Sequence, residues 1–215
     1  MTSELTSPST AEVCLFWLPL GADGNPAVRW GGQAYEAVVA RRERRDRVSL
    51  FHSALQVRLD GAIAIVEMAP AWGAPARERG VVSEGPVGLP FLGRSRFFRY
   101  EIRRWRGGVI PDMDQAVDSP VDLGATDGQA RGLLALVPSC PTPAWGRDEL
   151  DTGDMWNSNS LVAWLLTRVG LRGDELAPPG CGRAPGWNAG IRVAQRQMEP
   201  SRCGPVASHE VSPWP

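Results

Sequence analysis

Two apolar stretches, 50–59 and 62–69, joined by Asp60-Gly61, constrain this chain more than any other feature. Asp-Gly is among the strongest signals for a two-residue turn between antiparallel strands, and so short a turn fixes the register. Leu59 is then opposite Ala62, Val57 opposite Ala64, Leu55 opposite Val66 and Ala54 opposite Glu67. Side chains alternate between faces, so His52, Ala54 and Gln56 share one face with Ile65 and Glu67. His52 and Glu67 become diagonal neighbours.

Other segments extend this hairpin into a sheet. The apolar run 13–20 is bounded by Pro19 and Gly21, as a buried strand would be, which puts Cys14 in the core. A second hairpin is expected over 27–30 and 33–40, turning at Gly31-Gly32. Strands are also expected at 81–87 and 96–105, giving about five or six in all. Helical spacing marks 128–137, ending at Pro138, and again the segment from Ser158 to Gly170, where Asn157 to Ser160 supply capping side chains. The Gly- and Pro-rich stretch 178–190 reads as a structured loop. The expected fold is α+β: one antiparallel sheet with helices packed on it, in a single domain over 12–198 between flexible tails 1–11 and 199–215.

Composition narrows the chemistry. All 23 basic residues are arginine, which excludes lysine Schiff-base catalysis, and the net charge of -1 gives nucleic-acid binding no support. The run 41–47 holds five arginines but interleaves Glu43 and Asp46, the pattern of a solvated face with internal ion pairs. Cys14, Cys140, Cys181 and Cys203 are scattered with no C-x-x-C pair, which argues against a structural zinc site and a disulfide framework, and no cluster of His, Cys and carboxylates presents a ligand set, so no metal is expected; no other cofactor is expected either. With no signal-peptide pattern at the start and no run of 18 apolar residues, a cytoplasmic location without a membrane span is expected.

The helix starting near 158 is where chemistry is expected. Ser158 lies in its first turn, where unpaired N–H groups favour negative charge on a nucleophile or a tetrahedral intermediate. His52 is positioned as the base and Glu67 as the carboxylate that orients it. Each has a plainer alternative. Ser158 caps the helix, His52 is a core histidine, and Glu67 pairs with an arginine such as Arg58 or Arg99. Arg183 either holds an anionic substrate group or braces its loop, and Trp156, Trp164 and Trp187 either line a pocket or pack the core.

His52 in F-H-S-A-L-Q-V, followed at a distance by N-S-N-S-L-V-A-W-L-L, resembles the circularly permuted branch of the NlpC/P60 (papain-like) superfamily. The chain is also similar to an uncharacterised bacterial family with a P-N-S-N-[ST]-F signature and a later R-A-P-G-W, found here as Arg183 to Trp187. The resemblance implies a permuted papain-like fold and a nucleophile at position 158; from their nearness to that position, Trp156, Asn157, Asn159, Arg183 and Trp187 are expected to contact substrate. It implies a hydrolase or acyl or amide transferase acting on a small-molecule, peptide or acyl substrate. This chain has serine where members of the branch use cysteine. A hydroxyl gives almost no anion near neutral pH and needs a full general base. The alternative is a non-catalytic module that keeps the cleft to bind a ligand or a protein partner.

Overall fold

The computed structural model describes residues 11–21, 26–71 and 76–199. The expected tails fall outside these residues apart from Ala11 and Glu199, as do Cys203 and His209. Among the described residues six strands form one open antiparallel sheet: β1 (Glu12–Pro19), β2 (Phe51–Leu59), β3 (Ala62–Pro70), β4 (Val81–Pro86), β5 (Arg99–Arg106) and β6 (Val121–Asp122). Their spatial order is β4-β5-β3-β2-β1-β6. Four helices accompany them: α1 (Pro26–Glu43), α2 (Asp127–Leu136), α3 (Ser158–Arg168) and α4 (Trp187–Met198). This is the expected α+β class.

The central hairpin has the register its turn dictates, with Leu59 opposite Ala62, Val57 opposite Ala64 and Leu55 opposite Val66. Asp60 and Gly61 both take positive φ, 51° and 74°. β1 reads as a continuous apolar run because both its faces are covered. Val13, Leu15 and Trp17 join Leu55, Val57 and Val66 in the main core against α2, α3 and α4. Cys14, Phe16 and Leu18 join Ala54, Ile65 and Ile110 in a smaller core on the opposite face. Burial, followed by the nearby Glu12 carboxylate, pushes the Cys14 thiol up to about 11, so it is a core residue with little thiolate character.

Two expectations are corrected. The segment around Gly31-Gly32 is not a hairpin but the interior of helix α1. A Cβ at Gly32 would meet the Leu20 side chain at 2.4 Å, so this glycine allows the helix to approach the end of β1 and does not mark a turn. The second correction concerns 178–190, which is loop only as far as Gly186, with α4 beginning at Trp187. Gly186 takes φ 87° immediately before that helix, and Gly190 lets α4 press against α3, since a Cβ there would stand 2.2 Å from Ser160 O.

α3 is the packing centre of the helical layer. Every residue from Ser158 to Leu166 is buried, so this helix is enclosed on all sides and does not merely present one apolar stripe. The run 41–47 behaves as its composition suggests, with Arg45 pairing both Glu36 and Glu43.

Candidate functional site

The start of α3 is held in place by three of the four residues of N-S-N-S. Asn157 Oδ1 accepts from the Asn159 N–H at 2.9 Å and from the Ser160 N–H, while Ser160 Oγ accepts from the Asn157 N–H at 3.0 Å, a reciprocal capping box. Asn159 reaches across to the sheet. Its Nδ2 donates to Phe51 O at 3.0 Å and Pro185 O at 2.9 Å, and its Oδ1 accepts from Ser53 Oγ at 2.9 Å. Asn157 Nδ2 also donates to Pro185 O, and the Ser160 hydroxyl donates to Gly186 O at 2.7 Å. These bonds tie α3, the start of β2 and the 183–187 segment into one unit.

Ser158 is the exception. Although only 4% exposed, neither its hydroxyl nor its backbone N–H makes a hydrogen bond with another described residue. Capping is carried out by its neighbours, so the plainer reading of Ser158 does not describe its side chain.

Ser158 lines a mostly apolar cavity of about 400 Å³ together with His52, Asn157 and Asn159. Leu20, Gly32 and Tyr35 form one wall, and Val87, Phe97 and Trp145 another. The second wall is built by pairing between loops: Trp145 N–H donates to Pro86 O, Gly88 N–H to Trp145 O, and Gly146 N–H to Trp156 O. Trp145 is further set by an edge contact with Tyr100, ring centroids 5.6 Å apart. His52 reaches this cavity from the end of β2. Ser53 faces α3, so strand alternation puts His52 on the other face with Ala54. The histidine and the serine therefore share a cavity only because both stand at the sheet's end.

The remaining candidates separate from that cavity. Glu67 lies on β3 and is buried, its Oε1 accepting from Arg103 Nη1 at 2.8 Å. Arg103 also bonds Glu101, which pairs with Arg79, so Glu67 ends a buried chain of alternating charges. Burial raises its carboxyl above the usual range, against the lowering effect of Arg103. The arginine partner is neither Arg58 nor Arg99, which pair with Glu12 and Glu84. Trp156 is 1% exposed in the main core and lines neither this cavity nor the polar one beside it. Trp164 is core, with Arg168 over its ring.

Arg183 and Trp187 belong to the neighbouring cavity, of about 530 Å³, which shares Tyr35 and Pro185 with the first. The R-A-P-G-W segment does fold back over the helix start. Arg183 N–H donates to Ser49 O, its carbonyl accepts from Phe51 N–H, and its guanidinium pairs with Glu43. That is the bracing role. Trp187 stacks at a tilt on Trp17, centroids 5.0 Å apart, and donates from Nε1 to Gly173 O. The expected single cleft is thus two adjoining cavities.

Sequence reasoning passed over Ser53, Asp154 and the aromatic wall. Asp154 accepts from the N–H groups of Met155 and Gly186, and burial raises its carboxyl. Its D-M-W-N spacing before the helix was a readable sign of a loop-bracing carboxylate. The Ser53 contact and the wall arise from residues distant in sequence and left no local signal. Among the described residues no group of His, Cys, Asp and Glu has the arrangement of a metal site, and no helix is long and apolar enough to cross a membrane. Protein-family models, curated proteins and solved structures give no match to this chain.

Proposed function

We propose that this protein is a hydrolase or acyl or amide transferase of permuted papain-like type, with Ser158 as nucleophile and His52 as general base. The observation that carries this is the hydroxyl of Ser158: carried by a residue only 4% exposed, unclaimed by the capping network around it, and in one apolar cavity with an imidazole. His52 accepts the proton as Ser158 Oγ attacks the substrate carbonyl carbon. The oxyanion is met by the Ser158 N–H and the positive end of α3. Collapse expels the leaving group, which takes the proton from His52, and leaves an acyl-serine. Water or a second nucleophile, deprotonated by the same histidine, then releases the acyl group. The apolar walls suit an ester or amide whose acyl part is hydrophobic, since they leave few polar groups to satisfy.

Glu67, on β3, is kept in this proposal as a more distant electrostatic support on the face of the sheet that carries His52, with Arg103 as its direct partner. The second reading, a binding module retaining the cleft, is favoured by serine in place of cysteine. A fluorophosphonate probe separates the two. Catalytic Ser158 is labelled in the wild type and labelling is lost in Ser158→Ala; equal labelling of both proteins ends the nucleophile assignment.

A further inference from the structure

The wall of the cavity that carries Phe97 continues onto the outer surface. Residues 87–98, V-G-L-P-F-L-G-R-S-R-F-F, form a loop between β4 and β5 with no acidic residue in it. Four of its large apolar side chains are exposed: Leu89 at 39%, Phe91 at 65%, Phe97 at 76% and Phe98 at 43%. Single exposed apolar residues are ordinary, but a group of this size on one loop marks an interaction surface.

The loop is built to hold these side chains outward. Val87 N–H donates to Phe98 O at 2.8 Å and closes its base, and successive turns are fixed by Leu92 N–H to Leu89 O, Ser95 N–H to Leu92 O and Phe98 N–H to Ser95 O. Arg94 and Arg96 stand exposed between the aromatics, and neither has an ion-pair partner among the described residues. Arg99, just beyond, is paired with Glu84.

We infer that this loop docks the protein on an anionic lipid surface, with the mouth of the Ser158 cavity facing the membrane. Aromatic side chains enter the headgroup boundary while arginines beside them meet lipid phosphates, a combination that favours a membrane interface over a neutral protein groove. Continuity decides the occupant. Phe97 and Val87 belong both to this loop and to the apolar cavity, so an acyl chain leaving the bilayer passes from lipid to cavity along apolar surface. The inference extends the proposed function to a substrate drawn from a membrane, but the docking itself does not require catalysis.

Vesicle sedimentation of the full chain tests it, using phosphatidylcholine vesicles with and without phosphatidylglycerol. The wild type should sediment with the anionic vesicles at low salt and be released as salt rises. Phe91→Ser/Phe97→Ser and, separately, Arg94→Gln/Arg96→Gln should each weaken partitioning by about tenfold or more. The charge variant carries the test if the aromatic variant fails to fold. Ser158→Ala should bind vesicles as the wild type does, so loss of the catalytic reading leaves this result standing. Wild type that stays in the supernatant overturns the inference, as does either loop variant folding normally and binding unchanged. A wild-type dimer converted to monomer by Phe91→Ser/Phe97→Ser, with no vesicle binding by either, would identify the loop as a contact between copies instead.

Discussion

Replacing each residue of N-S-N-S in turn with alanine should give four different stability losses, in an order set by the hydrogen bonds each side chain makes. Asn159→Ala removes three bonds, the buried ones to Ser53 Oγ and Phe51 O and the partly buried one to Pro185 O, at about 1 kcal/mol net each, so a loss of about 3 kcal/mol is expected. Asn157→Ala removes the helix cap and the bond to Pro185 O, for about 2 kcal/mol, and Ser160→Ala removes the other half of the capping box and the bond to Gly186 O, for about 1–2 kcal/mol. Ser158→Ala removes no hydrogen bond to a described residue and should change stability by no more than about 0.5 kcal/mol. Urea unfolding followed by tryptophan fluorescence measures all four, with parallel slopes confirming that the differences are in stability. A loss for Ser158→Ala as large as that for Ser160→Ala would refute the reasoning, because the serine would then be part of the cap.

Two further outcomes follow, one from the packing around α3 and one from the loop that precedes it. Gly190→Ala forces a Cβ against Ser160 O at 2.2 Å and Trp164 N at 2.8 Å, so it should cost about 3 kcal/mol, a fall in Tm of roughly 6–12 °C by calorimetry; an unchanged Tm would contradict the close approach of α3 and α4. Asp148 accepts from the Thr152 N–H, the Gly153 N–H and the Thr152 hydroxyl, which hold its carboxyl below the usual range. A lowered folded-state value means stability that is present above the unfolded pKa, about 3.9, and lost as pH falls through the folded one. Asp148→Asn should therefore flatten the acid limb of the stability profile, and superimposable limbs for the two proteins would remove Asp148 from that role.

What the sequence made legible was local. Asp60-Gly61 set the central hairpin to the residue, and the asparagines and serines at 157–160 announced a helix start. Glycine misled in two places, for the same reason. Gly31-Gly32 looks like a turn, and 178–190 looks too glycine-rich for a helix, yet Gly32 and Gly190 sit inside helices because Leu20 and the α3 backbone leave no room for a Cβ. That need comes from tertiary contact, which a single sequence does not display. Strand alternation correctly gave Glu67 and His52 one face of the sheet, but the partner of Glu67 is Arg103 on β5, a pairing that depends on the β3–β5 register and not on any turn. The cavity was the least legible feature, since its walls come from α1, the 87–98 loop and Trp145, segments that meet only in the folded chain.

Whether the Ser158 position activates a nucleophile is answered most directly by giving it a better one. In Ser158→Cys, site-resolved iodoacetamide labelling compares the introduced thiol with exposed Cys181, a fairer reference than Cys14 or Cys140, whose thiols burial raises. The new thiol should react faster than Cys181 at neutral pH, and adding His52→Ala should remove the advantage. Reaction no faster than Cys181, or an advantage that survives loss of the imidazole, would show that the cavity holds a serine but not a catalytic pair.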